Sequence, residues 1–291
     1  MLRGLSFRIV LTSALTLNLA AGPTLLIAQE APDNVPTLTI RANTRLVLVD
    51  VVVTDKKGQP VTGLKAEDFT VLDDKTPRTV ESATYENSVL DVVLLLDTSL
   101  VGPMVQPMAD NLIAQLQPKE QMALVSFHSS ADLIQDFTSS KELLRRAAGQ
   151  VKYGNTPHVL DALFATIDGG FQNTTFRRVV LLLTAGVEGN SRVTEKEVIH
   201  LARRNGVSIF VIYVVGYEKW MFETLARQTG GALFNLKDMK KSSPEMPGPR
   251  IFDVLRSHYT LTLAGNLTLG EKLKVETRRP EKLFASASPV E

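Results

Sequence analysis

Four short runs in the chain are apolar on both faces: "DVVLLLD" (91–97), "QMALVSF" (121–127), "RVVLLLT" (178–184) and "VSIFVIYVV" (207–215). Unbroken apolar runs of this length suit parallel strands buried between two layers of helix. The segments between them carry helix signals. Ser139-x-x-Glu142 and Thr194-x-x-Glu197 have the spacing of capping boxes. Gly206 follows "EKEVIHLARRN" and Gly230-Gly231 follow "WMFETLARQT", where helix C-caps belong. Strand alternating with helix predicts an α/β fold with a doubly wound, mostly parallel sheet over residues 88–257.

On either side the rhythm is that of strands alone. Residues 31–87 are rich in Val, Thr and Leu, with turn signals at "KKGQP" and "DDKTP", and predict strands over 46–54, 69–72 and 78–85. This predicts a small β-sandwich module. Residues 258–291 begin "HYTLTLAGNLTLGEKLKVETRRP" and return to strand character, expected as a hairpin packed on that module, followed by a tail. No internal repeat is evident.

Residues 1–30 read differently. "MLRGLSFR" carries Arg3 and Arg8 without an acid, and a long apolar run with small residues precedes the polar "QEAPDN". That order is the pattern of a secretory signal peptide. The alternative is a retained membrane anchor, against which Gly22-Pro23 would break the helix late. The expectation is an exported, periplasmic or extracellular protein, cleaved between about Ala21 and Glu30 and without a membrane span in the mature chain.

Composition narrows the chemistry. Hydrophobic content of 44% and charged content of 22% fit a globular protein with a real core. The net charge is +1 and no basic stripe is interleaved with aromatics, which argues against nucleic acid as a partner. The absence of cysteine excludes disulfides, thiolate zinc sites, cysteine nucleophiles and a lipidated cysteine.

In an open α/β sheet, ligands bind outside the carboxyl ends of the strands. Asp97 stands at such an end, and Thr184-Ala185-Gly186 at another. "YGNTPHVLDAL" places Thr156 in a loop opening a helix, with Pro157 expected at the first helical position. A strand ending in Asp97-x-Ser99, a Gly154-x-Thr156 turn before a helix, and a later strand ending in Ala185-Gly186 together resemble the von Willebrand factor A (VWA) domain. The segments "LARQTGGALFNL", "VLRSHYTLTLAG" and "VDVVVTDKKGQPVTGLKAEDF" extend the likeness over the mature chain, which is similar in layout to the acidobacterial VWA-related family of exported proteins.

The resemblance implies a non-enzymatic adhesion or scaffold protein whose partner is another protein. It also implies a metal-ion-dependent adhesion site, in which Asp-x-Ser-x-Ser, a loop Thr and an Asp before Gly hold Mg²⁺. Asp97, Ser99 and Thr156 match that pattern, whereas Val101 stands at the second Ser and Ala185 at the second Asp. Mg²⁺ requires hard oxygen ligands in near-octahedral geometry, so the remaining set is a remnant and no cofactor is expected. Glu188, on the same loop as Ala185, joins Asp97, Ser99 and Thr156 as a candidate ligand-binding residue of the loop face. Asp97 has a second reading as a loop organiser that accepts backbone N–H groups, as Asx residues do.

Two rival functions remain in view. One is a Mg²⁺-dependent adhesion module that keeps a weak site at Asp97, Ser99 and Thr156. The other is a hydrolase using Asp97 or Ser99. Against the latter, the chain has no Gly-x-Ser-x-Gly elbow and no identifiable base, and a dehalogenase-type phosphatase would need a second Asp where Ser99 sits. The four histidines (His128, His158, His200, His258) lack a His-Glu-x-x-His spacing.

Overall fold

The computed structural model describes residues 46–290 apart from 100–101, 155, 216–217, 243–244, 266–268 and 270–272. Residues 1–30, where a signal peptide is expected, and Val101 lie outside the described residues. The strands are β1 (Val47–Thr54), β2 (Phe69–Asp73), β3 (Thr76–Arg78), β4 (Val80–Asn87), β5 (Leu90–Asp97), β6 (Gln121–Phe127), β7 (Ala131–Thr138), β8 (Arg177–Thr184), β9 (Val207–Tyr213), β10 (Leu233–Asn235), β11 (Ser257–Leu263), β12 (Leu273–Thr277) and β13 (Phe284–Val290). The α-helices are α1 (Gly102–Ile113), α2 (Lys141–Ala148), α3 (Val159–Gly169), α4 (Glu195–Arg204), α5 (Lys219–Gln228), α6 (Leu236–Ser242) and α7 (Gly248–Arg256).

The central sheet has the order β10-β9-β8-β5-β6-β7, parallel except for the antiparallel edge strand β7. All eight residues of β5 are buried, because helices cover both faces. Val92, Leu94 and Leu96 pack with α1, α2 and α7, while Val93 and Leu95 pack with α3, α4 and α5. Each such Val or Leu contributes about 1.5–3 kcal/mol through burial. The chain leaves β5 towards β6 on one side and later returns to β8 on the other. The crevice between the carboxyl ends of β5 and β8 is therefore the topological switch point, where this architecture places ligands.

Two expectations at helix starts shift. The Thr194/Glu197 capping box forms as predicted, but α2 is capped by Ser140, which accepts from Leu143 N at 3.3 Å, and not by Ser139. Thr138 Oγ1 holds the Ser140 N–H at 3.1 Å and so keeps Ser139 in the turn. Pro157 lies two residues ahead of the first helical residue of α3, Val159, because the first N–H groups of α3 are satisfied from another loop.

The flanking strands interleave. β11 pairs with β1 and β4 in the sheet β13-β1-β11-β4, whereas β12 pairs with β2 in the sheet β12-β2-β3. The expected C-terminal hairpin is thus absent among the described residues: β11 and β12 enter opposite sheets, each completing strands from the N-terminal module. Val49, Val51, Phe69, Val71, Leu261, Leu273 and Val275 fill the space between these sheets. Tyr259 is buried there, donating to Val61 O (2.9 Å) and accepting from Leu64 N (3.1 Å). Val52, on the opposite face of β1, packs into the α/β core.

Arg177, at the start of β8, is partly buried and donates to Leu255 O (2.9 Å) and Gly230 O (3.4 Å). Burial pushes its guanidinium down to about 10, with Asp50 of β1 acting in the opposite direction. It therefore stays protonated at neutral pH. Among the described residues no helix is long and apolar enough to cross a membrane.

Candidate functional site

Parallel register brings the site together. Leu96 on β5 lies opposite Leu183 on β8, so Asp97 faces Thr184 and the loop that follows it. The Asp97 side chain is fully buried. Its Oδ1 accepts from Ser99 N (3.0 Å) and Ser99 Oγ (2.5 Å). Its Oδ2 accepts from Thr184 Oγ1 (2.9 Å) and Ala185 N (3.2 Å). Thr184 Oγ1 in turn accepts from Gly186 N at 3.1 Å. A carboxylate offers about four lone-pair positions, and here four donors meet them. Asp97 thus ties two loops to the strand ends, as the Asx reading expects.

The turn carrying Thr156 closes over β5 and β6. Gly154 N donates to Thr98 O (3.3 Å), and His158 N donates to His128 O (2.9 Å). A side chain at 154 would meet the His128 ring at 2.4 Å, which explains the glycine. Thr156 itself is exposed and makes no hydrogen bond among the described residues. The pattern Asp97, Ser99 and Thr156 therefore divides: the first two are bonded to each other, and the third stands apart in solvent.

Glu188 is placed elsewhere. Its Oε2 accepts from Leu160 N (3.1 Å) and its Oε1 from Ser191 N (3.2 Å), and Ser191 Oγ accepts from Leu160 N (3.1 Å) and Asp161 N (3.2 Å). Together they cap the N-terminus of α3, whose positive dipole end favours a carboxylate. The Glu188 N–H donates to Glu218 Oε2. Burial raises the Glu188 carboxyl above its ordinary range; the bonds from Ser191 and Leu160 oppose the shift, and the Glu218 charge adds to it. Gly189 (φ 83°) lets this loop press against the turn before α3, since a Cβ there would lie 1.8 Å from Pro157 O.

Thr184 and Glu218 were not among the sequence candidates. Thr184 could have been found, because parallel pairing of "RVVLLLT" with "DVVLLLD" puts it beside Asp97. Glu218 precedes α5 with no pattern to flag it. Among the described residues no group of three or more His, Asp or Glu is arranged to hold a metal ion.

An open, doubly wound α/β sheet with an aspartate and hydroxyls at its switch point sets a polar crevice where folds of this class bind ligands. The sequence profile of the von Willebrand factor type A domain matches residues 91–246, and the chain belongs to that family. The family is one of protein-interaction and adhesion modules.

Among solved structures, the chain is similar to proximal thread matrix protein 1 from the mussel byssus. Identity is 17% and the TM-score 0.50, over 67% of this chain and 51% of that one. A form of that protein with a zinc-occupied MIDAS motif matches at 18% identity and a TM-score of 0.50, over 64% of this chain and 50% of that one. The conserved hypothetical protein BatB from Bacteroides thetaiotaomicron matches at 14% identity and a TM-score of 0.46, over 57% of this chain and 97% of its own. The chain thus spans about half the length of the mussel protein, and at these identities the likeness is one of fold. Comparison with curated proteins returned no match.

Proposed function

We propose that this chain is an exported, non-enzymatic binding protein that recognises a protein partner through the loops at the carboxyl end of its parallel sheet, without a resident dication. One observation carries the reading: both oxygens of Asp97 are taken by protein donors, two of them backbone N–H groups. The donor set does not fit Mg²⁺. Ala185 offers a backbone N–H in place of a carboxylate, Glu188 is committed to α3, and a strongly hydrated dication gives up water only for well-placed oxygens. Hydrolysis finds no support either, since among the described residues the Ser99 hydroxyl bonds to a carboxylate held by four donors and to no histidine that could act as its base. Export rests on the basic head and apolar run of residues 1–30.

The test is a melting experiment with and without millimolar Mg²⁺ or Mn²⁺, on the wild type and on the double variant Val101→Ser, Ala185→Asp. The variant returns a hydroxyl and a carboxylate. Its new charge close to Asp97 costs stability in the apo state. Added metal should recover that loss, because a ligand bound only by the folded state stabilises it by mass action. The wild type should show little metal dependence. Equal stabilisation of both would mean that the native site binds metal and that the metal-dependent reading is right.

A further inference from the structure

Away from Asp97, a groove of about 1170 Å³ runs between α4 and α5 on one wall and β12 and β13 on the other. That volume is at or above the upper end for small-molecule sites, which suits a larger occupant. Its floor is aliphatic: the partly exposed Ile199 and Leu283 line it above the buried Leu273 and Val275, and no Phe, Tyr or Trp does. Its rim is basic. Seven Lys or Arg residues face three Glu, and with Glu223 and Asp68, which pair with Arg227 and Arg279 from outside the lining, a surplus of two charges remains in a chain whose net charge is +1. Lys75, in the turn between β2 and β3, and Lys282, before β13, are exposed and make no ion pair among the described residues. Both strands on the sandwich side end their sheets: among the described residues β12 pairs only with β2, and β13 only with β1.

We propose that this groove binds an extended, acidic segment of a partner protein, with carboxylates at the Lys75 and Lys282 rim and apolar side chains against Ile199 and Leu283. An extended segment can lie along the β12 edge, the arrangement by which peptides add a strand to an open sheet. The basic surplus selects acidic partners and speeds their encounter. The floor favours a peptide over an acidic polysaccharide, because sugar rings are held by aromatic stacking and dense hydrogen bonding, neither of which an aliphatic floor supplies.

The test is fluorescence anisotropy of the full chain with a labelled ten-residue peptide of alternating Glu and Leu. Binding should weaken roughly tenfold between about 0.05 and 0.3 M salt, as screening shortens the reach of the rim charges. The double variant Lys75→Glu, Lys282→Glu should lower affinity at least tenfold with an unchanged melting temperature, since both side chains are exposed. A Glu–Ser peptide should bind at least tenfold more weakly, for want of apolar contacts. Equal binding of a Lys–Leu peptide, unchanged affinity in the charge-reversal variant, no binding of the Glu–Leu peptide, or binding of polygalacturonate in its place would each overturn the proposal.

Discussion

Asp91 and Asp97 stand at opposite ends of β5, both fully buried and both held by protein donors. Their wiring differs. At Asp91 the two fixed backbone donors converge on one oxygen: Thr175 N (2.9 Å) and Phe176 N (2.8 Å) both reach Oδ2. Among the described residues the other oxygen meets only the Gln121 side-chain amide at 3.2 Å, a group that can turn over. At Asp97 each oxygen has one fixed backbone donor, Ser99 N on Oδ1 and Ala185 N on Oδ2, and one rotatable hydroxyl. The amino end of the strand therefore needs one good acceptor oxygen. The carboxyl end needs a carboxylate, and its hydroxyls could be turned to other uses.

The sharpest way to break this comparison is amide substitution at both ends. Asn at 97 must aim its NH₂ at a backbone N–H, whichever way it turns, and strand a buried donor at a cost of about 1–3 kcal/mol. We expect Asp97→Asn to lose about 2–3 kcal/mol in urea unfolding, with the lost charge-assisted bond included. Asp91→Asn can keep its oxygen on Thr175 and Phe176 and offer its NH₂ to a flipped Gln121, so its cost should stay below about 1 kcal/mol. Equal costs at the two ends would show that charge, and not donor geometry, sets the requirement.

The two ends should also respond to pH with opposite signs. Near the amino end, His258 is buried with its Nδ1 unpartnered. Burial lowers its pKa from 6.5, Arg177 of β8 lowers it further, and Asp50 of β1, the backbone at Arg256 and Glu86 of β4 oppose the shift. The unfolded chain then takes up the proton first, so stability falls as pH drops below about 6.5. Near the carboxyl end, Glu188 has its pKa raised from 4.5, chiefly by burial. The folded state holds that proton more tightly, so this contribution falls as pH rises through the raised value. Denaturant midpoints between pH 4 and 8 should show both limbs. His258→Gln should flatten the acidic loss, and Glu188→Gln the loss on raising pH. A variant that flattens the opposite limb would contradict the assignment.

The contrast also shows what a sequence can disclose. The scaffold was legible because burial on two faces leaves no polar positions: "QMALVSF" is β6 residue for residue, and the other runs match to within a residue or two. Asp97 was legible because a carboxylate ending such a run has few structural explanations. Its wiring was less so. Which oxygen meets which donor depends on the pairing of β5 with β8, and Glu188's cap on α3 depends on a contact between loops 28 residues apart. β13, "FASASPV", was missed because it buries small residues against β1 and Gly230–Gly231, where no large apolar pattern is needed. The hairpin expectation failed for a related reason: strand character is local, whereas the choice of sheet is made by partners more than 180 residues away, as in the pairing of Val71 with Val275.

The smallest effect separates the two hydroxyls on Asp97. Thr184 is fully buried and does two things: it donates to Asp97 Oδ2 and accepts from Gly186 N. Thr184→Val keeps the shape, removes the donor and strands the Gly186 N–H, for about 2 kcal/mol. Ser99 is half-buried, and its backbone N–H stays on Oδ1 when the hydroxyl is removed. Water can then approach the freed lone pair, so Ser99→Ala should cost only about 0.5–1 kcal/mol. That order, read from urea unfolding of the two single variants, tests whether Asp97 is anchored from the β8 side or from its own loop. Should Ser99→Ala be the costlier change, the 2.5 Å bond of its hydroxyl is the main restraint on the carboxylate. The loop after β5, and not the strand pair, would then hold the crevice in shape.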